Sequence, residues 1–384
     1  MAPKFIYLDH AAATPVADFV LAAMEPFLTN DFYNPSSPYA PAIAVRHSYE
    51  AAKASLASVI GAKPDEITMT AGATESINLV FNSVTGHVVT SAIEHPAVLQ
   101  AARSHPHTLV QPTPKGVITA ESVLEAITPD TQLVSIALAN NELGTIQSLN
   151  KIAAVVQAER QNRIKTGNKT LIYFHTDASQ GAGYLDLHVS RLGVDAMTLN
   201  AGKVYGPKQV ALLWAQPNMR LSPLIMGGGQ EHGLRSGTEN VAGTIGFATA
   251  LKAADAGRRA ETERIASLRD SLQQRLVTAF PSAVISGNPK KRLPNFLHIS
   301  FPGLDAERLL FALETKGVLV ATGSACAANK GTRSHVLIAI GLASNVADGS
   351  LRMTLGKLTD QPEIAAAGDI IVTVVNSEKK RVGQ

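Results

Sequence analysis

A lysine and an aspartate each follow a predicted β-strand, in turns where their side chains can meet a ligand. Lys203 comes after a predicted strand at 195–199, and the glycines beside it allow the backbone to approach a bound group. Its amine can form a Schiff base with an aldehyde. Asp177 comes after a predicted strand at 171–175, and its carboxylate can keep a pyridine nitrogen protonated. The ordinary alternatives are a surface lysine in a turn and an aspartate that caps a helix.

Donors for an anion and a flat ring follow other predicted strands. The run from Gly72 to Glu75 follows a strand at 67–70 and opens a helix, whose first N–H groups and positive dipole end suit a phosphate. His95 offers a ring that can stack and exchange protons, and Asn141 can donate to a phenolic oxygen. Their structural interpretations are a capped helix start, a packed histidine and a turn asparagine.

Together these groups match what pyridoxal phosphate demands of a protein. This cofactor needs a lysine for its aldehyde, an acid at its ring nitrogen, donors for its phosphate and a flat neighbour for its ring. In an open α/β sheet the carboxyl ends of the strands form one ligand-binding edge, so side chains that follow different strands meet there. The sequence therefore predicts a pyridoxal-phosphate site at this edge, with Lys203 as its attachment point.

The chain has one cysteine, Cys326, in a segment of small and polar residues flanked by Gly323 and Gly331. A free cysteine is usually a small buried apolar residue. Because the neighbours here are not apolar, the sequence favours an accessible thiol that can ionise and act as a nucleophile. One cysteine cannot form an internal disulfide, which is typical of a reducing compartment.

β-rich runs alternate with helical patterns between residues 65 and 215. The predicted strands are 67–70, 87–91, 132–138, 171–175, 195–199 and 210–215, with helices near 74–84, 96–104, 119–127 and 149–166. This alternation predicts an α/β fold with a mostly parallel sheet covered on both faces. A long helical pattern over 239–280 is interrupted at Gly257, and a smaller α/β unit follows. We therefore predict a large domain at 15–254 and a small one formed by 1–14 and 255–384, which carries the cysteine.

Composition narrows the class of protein. The 384 residues are 45% apolar and carry a formal net charge of +3, which argues neither for a nucleic-acid partner nor for a membrane surface. The first residues lack the apolar core of a signal peptide, and no uninterrupted apolar run reaches the length of a membrane span. The sequence therefore predicts a cytoplasmic protein without a metal site.

An ordered set of short motifs resembles the cysteine desulfurases of the NifS/IscS type, in the class V aminotransferase group. The motifs are Tyr7-Leu8-Asp9, Asn34-Pro35-Ser36-Ser37, Gly72-Ala73-Thr74-Glu75-Ser76, Glu94-His95, Asn140-Asn141-Glu142, Asp177-Ala178-Ser179-Gln180, Lys203-Val204-Tyr205-Gly206-Pro207-Lys208, Gly227-Gly228-Gly229, Arg235-Ser236-Gly237-Thr238, Gly323-Ser324-Ala325-Cys326 and Leu351-Arg352. They keep the family's order and spacing over nearly the whole chain. The resemblance implies the fold type I of pyridoxal-phosphate transferases, a homodimer, and conversion of L-cysteine to L-alanine.

The resemblance also implies a role for each matched residue. Lys203 would carry the cofactor and shuttle a proton at the substrate Cα, His95 would stack on the ring as an acid–base group, and Cys326 would attack the substrate sulfur. The other cofactor contacts would be Ala73, Thr74, Asn141, Asp177, Gln180, Asn200 and, from a partner subunit, Thr238. Arg352 and Asn34 would clamp the substrate carboxylate. Sulfur would pass from a persulfide to an acceptor protein for iron–sulfur cluster assembly or tRNA thiolation.

Several positions depart from the family pattern. The usual Ser-Gly-His-Lys run reads Asn200-Ala201-Gly202-Lys203, so an amide replaces the serine and Gly202 offers no side-chain donor. Loss of one charge-assisted donor costs about 1–3 kcal/mol of cofactor binding unless water or another group replaces it. Ala40 and His232 replace a histidine and an arginine of the family. Two alternatives therefore stay open: a related enzyme acting on selenocysteine or another amino acid, and a sulfur-relay scaffold without turnover.

Overall fold

The computed structural model of the chain describes residues 5–323 and 333–384. In these ranges the strands are β1 (Ile6–Tyr7), β2 (Ile67–Thr70), β3 (His87–Ser91), β4 (His107–Val110), β5 (Thr131–Ser135), β6 (Tyr173–Asp177), β7 (Ala196–Asn200), β8 (Ala211–Ala215), β9 (Val284–Ile285), β10 (Phe296–Ser300), β11 (Val318–Leu319) and β12 (Ser350–Thr354). The helices are α1 (Asp18–Met24), α2 (Pro26–Thr29), α3 (Ala40–Ile60), α4 (Ala73–Asn82), α5 (Pro96–Ala102), α6 (Ala120–Ala126), α7 (Leu149–Thr166), α8 (Val189–Leu192), α9 (Val241–Ala256), α10 (Arg258–Ala279), α11 (Ala306–Thr315), α12 (His335–Ala339), α13 (Ser344–Ala347) and α14 (Gln361–Arg381).

A seven-stranded sheet forms the centre of the larger unit, in the order β2-β8-β7-β6-β5-β3-β4. Five neighbouring strands, β7, β6, β5, β3 and β4, run parallel, whereas β8 is antiparallel to both β7 and β2. Apolar side chains are buried on both faces, Val134 and Phe174 on one and Leu133 and Leu213 on the other. The predicted α/β fold with a mostly parallel sheet is confirmed.

The smaller unit has sheets of its own. A three-stranded sheet has the antiparallel order β12-β10-β9, and β1 pairs in parallel with β11. Its buried core joins Leu8, Leu272 of α10, Leu297 of β10, Leu309 of α11 and Ile371 of α14. Residues near the start of the described chain therefore pack on the smaller unit.

The division into 15–254 and 1–14 with 255–384 stays a prediction. The long helical pattern does break at Gly257, between α9 and α10. However, Val336, Leu337 and Ile340, in and after α12, are buried in the core of the larger unit. A boundary placed by sequence position alone therefore separates these residues from the core in which they pack.

Helix α3 is the longest element that the sequence analysis missed. Proline stands in its first turn, and Gly61, with a φ of 68°, caps its C-terminal end. Its buried side contacts α9 and includes small residues such as Ala52 and Ala57. Because alanine contributes weakly to an apolar pattern, the helical period of this segment was not evident. Among the helices of residues 5–323 and 333–384, none combines the length and apolar character that a membrane span needs.

Candidate active site

Several loops surround one cavity of about 310 Å³ at the carboxyl ends of β5, β6 and β7. The residues with predicted roles that line it are Ala73, Thr74, His95, Asn141, Asp177, Gln180, Asn200, Lys203 and Arg352. Arg352 comes from β12 of the smaller unit, whereas the others come from the larger one. The cavity therefore lies where the two units meet.

Lys203 lies on a single helical turn, Ala201–Lys203, directly after β7. Its Nζ donates hydrogen bonds to the carbonyl oxygens of Ala11 and Ala12, both at 2.7 Å. The chain then turns back tightly, since a Cβ on Gly206 would lie 2.9 Å from the carbonyl oxygen of Ala201. A side chain at position 206 would therefore force this turn or the backbone of Ala201 to shift.

Asp177 is the last residue of β6. The sequence had placed it just after the strand, so the strand ends two residues later than predicted. Its Oδ1 accepts a hydrogen bond from the Ser179 N–H at 2.9 Å. Nearby, the His175 ring is buried between the hydroxyl groups of Ser135 and Thr198. Burial lowers the pKa of His175 to about 4, although Asp177 acts in the opposite direction. His175 is therefore neutral at pH 7 and leaves the charge of Asp177 available to a cationic group in the cavity.

His95 caps α5, because its Nδ1 accepts a hydrogen bond from the Ala97 N–H at 3.1 Å. This bond assigns the proton of the neutral ring to Nε2. Burial lowers the pKa of His95; Asp177 opposes this shift, and Lys203 and His335 add to it. A neutral, flat ring with an Nε2–H donor therefore lines the cavity at neutral pH.

The N-terminus of α4 meets the cavity through Ala73 and Thr74. Glu75, the acidic side chain in this first turn, has other partners. Its Oε2 accepts from the Ala71 N–H at 2.8 Å, and its Oε1 accepts from Arg235 Nε at 3.1 Å. The first N–H groups of a helix have no partner within the helix, and the dipole is positive there. The start of α4 can therefore bind an anionic group.

Arg352 brings a buried guanidinium to the cavity. Its Nη2 donates to Asp9 Oδ1 at 2.6 Å, and its Nη1 donates to the Asn141 carbonyl oxygen at 2.9 Å. The side chain is only 3% exposed. A guanidinium fixed in this way suits a planar carboxylate.

The backbone of residues 9–14, which we call the strap, also contributes to the site and was not predicted from the sequence. The Ala11 carbonyl accepts from Lys203 Nζ and, at 3.0 Å, from Gln180 Nε2. Thr14 Oγ1 accepts from the Tyr205 N–H at 2.9 Å. Backbone carbonyls make the central contacts, and every residue type has one, so the alanines gave no chemical signal.

Two residues with predicted roles do not line the cavity in the described chain. Asn34 is exposed, and its Oδ1 accepts from the Ser36 N–H at 2.9 Å. Thr238 is exposed as well. The carboxylate clamp predicted for Asn34 and the cross-subunit phosphate contact predicted for Thr238 both stay predictions.

Cys326 lies outside the described residues, so its predicted accessibility stays a prediction. The described chain on either side of it is attached beside the cavity. Ala321 forms a bridge with Arg352, and His335 Nε2 lies 2.9 Å from the carbonyl oxygen of Glu94, the residue before His95.

Comparison with known proteins shows the family. A family model described as aminotransferase class-V matches residues 6–366. The chain belongs to this family. The cysteine desulfurase IscS of Dictyoglomus turgidum is 37% identical over 96% of this chain and 94% of its own length. The cysteine desulfurase IscS of Methanosarcina thermophila is 33% identical over 97% of this chain and 92% of its own.

Solved structures of this family agree with the fold. A NifS-like protein matches with a TM-score of 0.88 and 31% identity, over 97% of this chain and 100% of its own. A second NifS-like protein, from Rickettsia africae, gives a TM-score of 0.87 and 28% identity over the same shares. The resemblance to cysteine desulfurases and the fold type I expectation are confirmed, and the chain is an enzyme whose cofactor is pyridoxal phosphate.

The donor set of the cavity fits this cofactor of the class V family. A lysine amine, the Asp177 carboxylate, a helix N-terminus and a neutral imidazole surround one space. These are the groups that an aldehyde, a protonated ring nitrogen, a phosphate and an aromatic ring require. The departures at Asn200 and Gly202 remove none of them.

Restoring the family's histidine at position 202 is expected to tighten cofactor binding. A Cβ on Gly202 would meet no atom closer than 3.4 Å, the Asn200 Oδ1, so the backbone accepts a side chain. A histidine donor to phosphate should lower the Kd for pyridoxal phosphate about tenfold or more. Titration of the apoenzyme measures the Kd, with Gly202→Ala as the control that adds only the Cβ. Equal Kd values for Gly202→His, Gly202→Ala and the unchanged enzyme would contradict this prediction.

Glu94 is a buried carboxyl group beside the cavity. It accepts hydrogen bonds from the Ser91 hydroxyl at 2.6 Å and the Ala137 N–H at 3.1 Å. Burial raises the pKa of Glu94 from 4.5 to about 7; the two hydrogen bonds act against the shift and Asp177 adds to it. Between these pH values the folded state holds a proton that the unfolded state has lost.

The free energy of unfolding should therefore fall as the pH rises from 4.5 to about 7, by as much as ~3 kcal/mol from Glu94 alone. Glu94→Gln has no ionisable group and is expected to flatten this dependence. Urea unfolding across this pH range measures it, and exposed Glu307→Gln serves as the control. If the free energy of unfolding falls with pH equally in Glu94→Gln and Glu307→Gln, Glu94 is not the group that titrates.

Proposed function

We propose that this enzyme converts L-cysteine to L-alanine and passes the sulfur through Cys326 to an acceptor protein. One observation carries the proposal: Lys203, Asp177 and Arg352 surround a single cavity. The lysine and the aspartate suit pyridoxal phosphate, and the arginine adds a site for an amino-acid carboxylate. Relatives named cysteine desulfurase match nearly the whole chain and support the choice of substrate.

Bound pyridoxal phosphate supplies an electron sink for bond breaking at the substrate Cα. Lys203 Nζ takes the proton from that carbon and returns one. The Asp177 carboxylate keeps the ring nitrogen protonated. His95 would stack on the ring and would donate through Nε2–H. The remaining residues that would hold the cofactor are Ala73 and Thr74 at the start of α4, Asn200, and the amides Asn141 and Gln180 near the phenolic oxygen.

Arg352 binds the substrate carboxylate, and Asn34 contributes to this clamp. The Cys326 thiolate attacks the substrate sulfur, so that a sulfur–sulfur bond forms as the bond to the substrate Cβ breaks. The electron pair of the broken bond stays on Cβ, which takes up a proton and becomes the methyl group of alanine. Attachment of Ala321 and His335 beside the cavity supports this role for the segment between them.

A panel of amino acids tests the substrate. L-Cysteine, L-selenocysteine and L-serine are each incubated with the enzyme and reductant, and alanine and pyruvate are measured by mass spectrometry, because β-elimination from serine gives pyruvate and not alanine. We expect alanine and sulfide from L-cysteine. Turnover of selenocysteine alone would favour the related enzyme with another substrate. A loaded enzyme that turns over none of the three would favour a sulfur-relay scaffold.

We also propose that the enzyme is a homodimer in which Thr238 contacts the phosphate of the partner's cofactor. The loop before Thr238 is anchored by a buried carboxylate, because Glu231 Oε2 accepts from Lys53 Nζ at 3.1 Å and from the Met69 N–H at 2.7 Å. Thr238 itself stays exposed. An apolar groove of about 740 Å³ between α1, α3 and α9 offers surface for a second subunit.

Mixed dimers test the shared site. Lys203→Ala and Thr238→Ala should each lose activity as homodimers, at limiting cofactor for the threonine variant. A heterodimer of the two contains one site with both native residues. Co-expression should therefore restore about a quarter of the activity of the unchanged enzyme. Activity no higher than the mean of the two homodimers would contradict the shared site.

The location is proposed from the thiol chemistry, and the acceptor is proposed from the resemblance to cysteine desulfurases. A persulfide donor needs a reducing compartment, so we propose the cytoplasm. The acceptor is proposed to be a scaffold protein for iron–sulfur clusters or a tRNA-thiolation protein. Transfer of labelled sulfur from the enzyme to each purified acceptor distinguishes the two.

A further inference from the structure

The strap, residues 9–14, is bonded to both units of the fold. Toward the smaller unit, the Ala11 N–H donates to Thr354 Oγ1 at 2.9 Å, on β12. At its end, the Thr14 N–H donates to the Gly202 carbonyl at 3.2 Å, beside the cofactor lysine. The Tyr7 hydroxyl lies 2.8 and 3.0 Å from the carbonyl oxygens of Asp9 and Ala13. The backbone around Asp9 is therefore fixed independently of any ligand.

The Asp9 side chain acts on the cavity indirectly, through its bond to Arg352. Its carboxylate does not line the cavity, but its Oδ1 accepts from Arg352 Nη2 at 2.6 Å. The other terminal nitrogen, Nη1, donates to the Asn141 carbonyl, and Arg352 Nε is buried without an acceptor among the described residues. Two anchored oxygens therefore set the plane of the guanidinium.

In the described part of the chain, no second acidic side chain forms an ion pair with Arg352. His298 on β10 is its direct cross-strand neighbour. The His298 ring is buried, and neither of its nitrogens has a hydrogen-bond partner among the described residues. Asp9 is thus the one acidic side chain in the described chain that forms an ion pair with Arg352.

We propose that Asp9 is a positioning residue that holds Arg352 in the orientation that binds the substrate carboxylate. Two-point binding of a carboxylate requires the guanidinium plane to be set within a narrow angle. Without the bond from Asp9, only the Asn141 carbonyl restrains the end of this long side chain. This inference rests on the proposed function, because it assigns the carboxylate of the amino-acid substrate to Arg352.

The test compares ligands with and without a carboxylate in the holoenzyme. The dissociation constants of L-alanine and L-alaninamide are measured from the change in cofactor absorbance, and KM and kcat are measured with L-cysteine. The variants are Asp9→Ala, which removes the acceptor, and Asp9→Asn, which keeps an acceptor oxygen in place. Asp369→Ala is the matched control, because it removes the carboxylate of an exposed ion pair with Arg275.

Asp9→Ala is expected to weaken L-alanine binding and raise KM about 10- to 100-fold, with kcat changed less than about threefold. Binding of L-alaninamide should stay unchanged, and Asp9→Asn should stay within about threefold of the unchanged enzyme. If Asp9 had only a structural role, Asp9→Ala would weaken the binding of both ligands equally. Asp9→Asn would then not restore L-alanine binding.

The inference is overturned if Asp9→Ala binds L-alanine as well as the control does, or if L-alaninamide binding falls in parallel. It is also overturned if Asp9→Asn weakens L-alanine binding as much as Asp9→Ala does. In these cases the unchanged enzyme still turns over L-cysteine, so the proposed function stands. If the unchanged holoenzyme binds no amino acid at all, the proposed function and this inference fail together.

Discussion

Lys203→Ala is expected to lower the turnover of L-cysteine about 1000-fold or more, because it removes both the attachment point of the cofactor and the base at the substrate Cα. The lysine is well placed for both tasks, on the turn after β7 and with its Nζ in the cavity wall. The variant should also lack the visible band of the lysine-linked cofactor. Absorbance of the purified variant and a sulfide assay measure the two effects.

Lys208→Ala is the matched control for this variant. Lys208 lies in the same loop, but it is exposed and its Nζ is 3.4 Å from the Thr14 carbonyl oxygen. The control should keep the visible band and most of the activity. If Lys203→Ala retains the band, or if the two variants lose activity equally, the cofactor is attached elsewhere.

Cys326→Ala is expected to abolish enzyme-bound persulfide and to lower sulfide release about 100-fold or more. The thiol is the nucleophile in the proposed sulfur transfer, and no other cysteine in the chain can replace it. Cofactor binding does not require this thiol. The variant should therefore keep the visible band and the response of that band to L-cysteine.

Alkylation of the intact protein gives a direct measurement, since a single cysteine yields a single adduct. After incubation with L-cysteine, the unchanged enzyme should gain one sulfur atom, and Cys326→Ala should gain none. Ser324→Ala in the same segment serves as the control and should gain sulfur normally. Release of sulfide by Cys326→Ala at the rate of the unchanged enzyme would show that the nucleophile is not Cys326.

Much of the cavity was predictable because its side chains have distinctive chemistry and follow apolar strands. β2 and β3 occupy the predicted residues, and Lys203 and His95 lie just after strands, as expected. Asp177 differs, as the last residue of β6. Alternation of strands and helices was enough to bring these residues to one edge of the sheet.

Contacts made by the backbone were not predictable. The Ala11 and Ala12 carbonyls hold Lys203 Nζ, but alanine gives no sign of such a contact in a sequence. The ion pair of Asp9 with Arg352 joins residues that are far apart in the chain, and they come together where Asp9 forms a bridge with Thr354 at the end of β12. The roles of Asn34 and Thr238 stay predictions, since both residues are exposed in the described chain and neither lines the cavity.

The absorption spectrum of the purified enzyme, before and after addition of L-cysteine, tests the central claim most directly. We expect a visible band from the cofactor linked to Lys203, and a shift of this band when L-cysteine binds. A protein that stays colourless when pyridoxal phosphate is supplied, or whose band does not respond to L-cysteine, would contradict the assignment of this cavity to cysteine desulfuration.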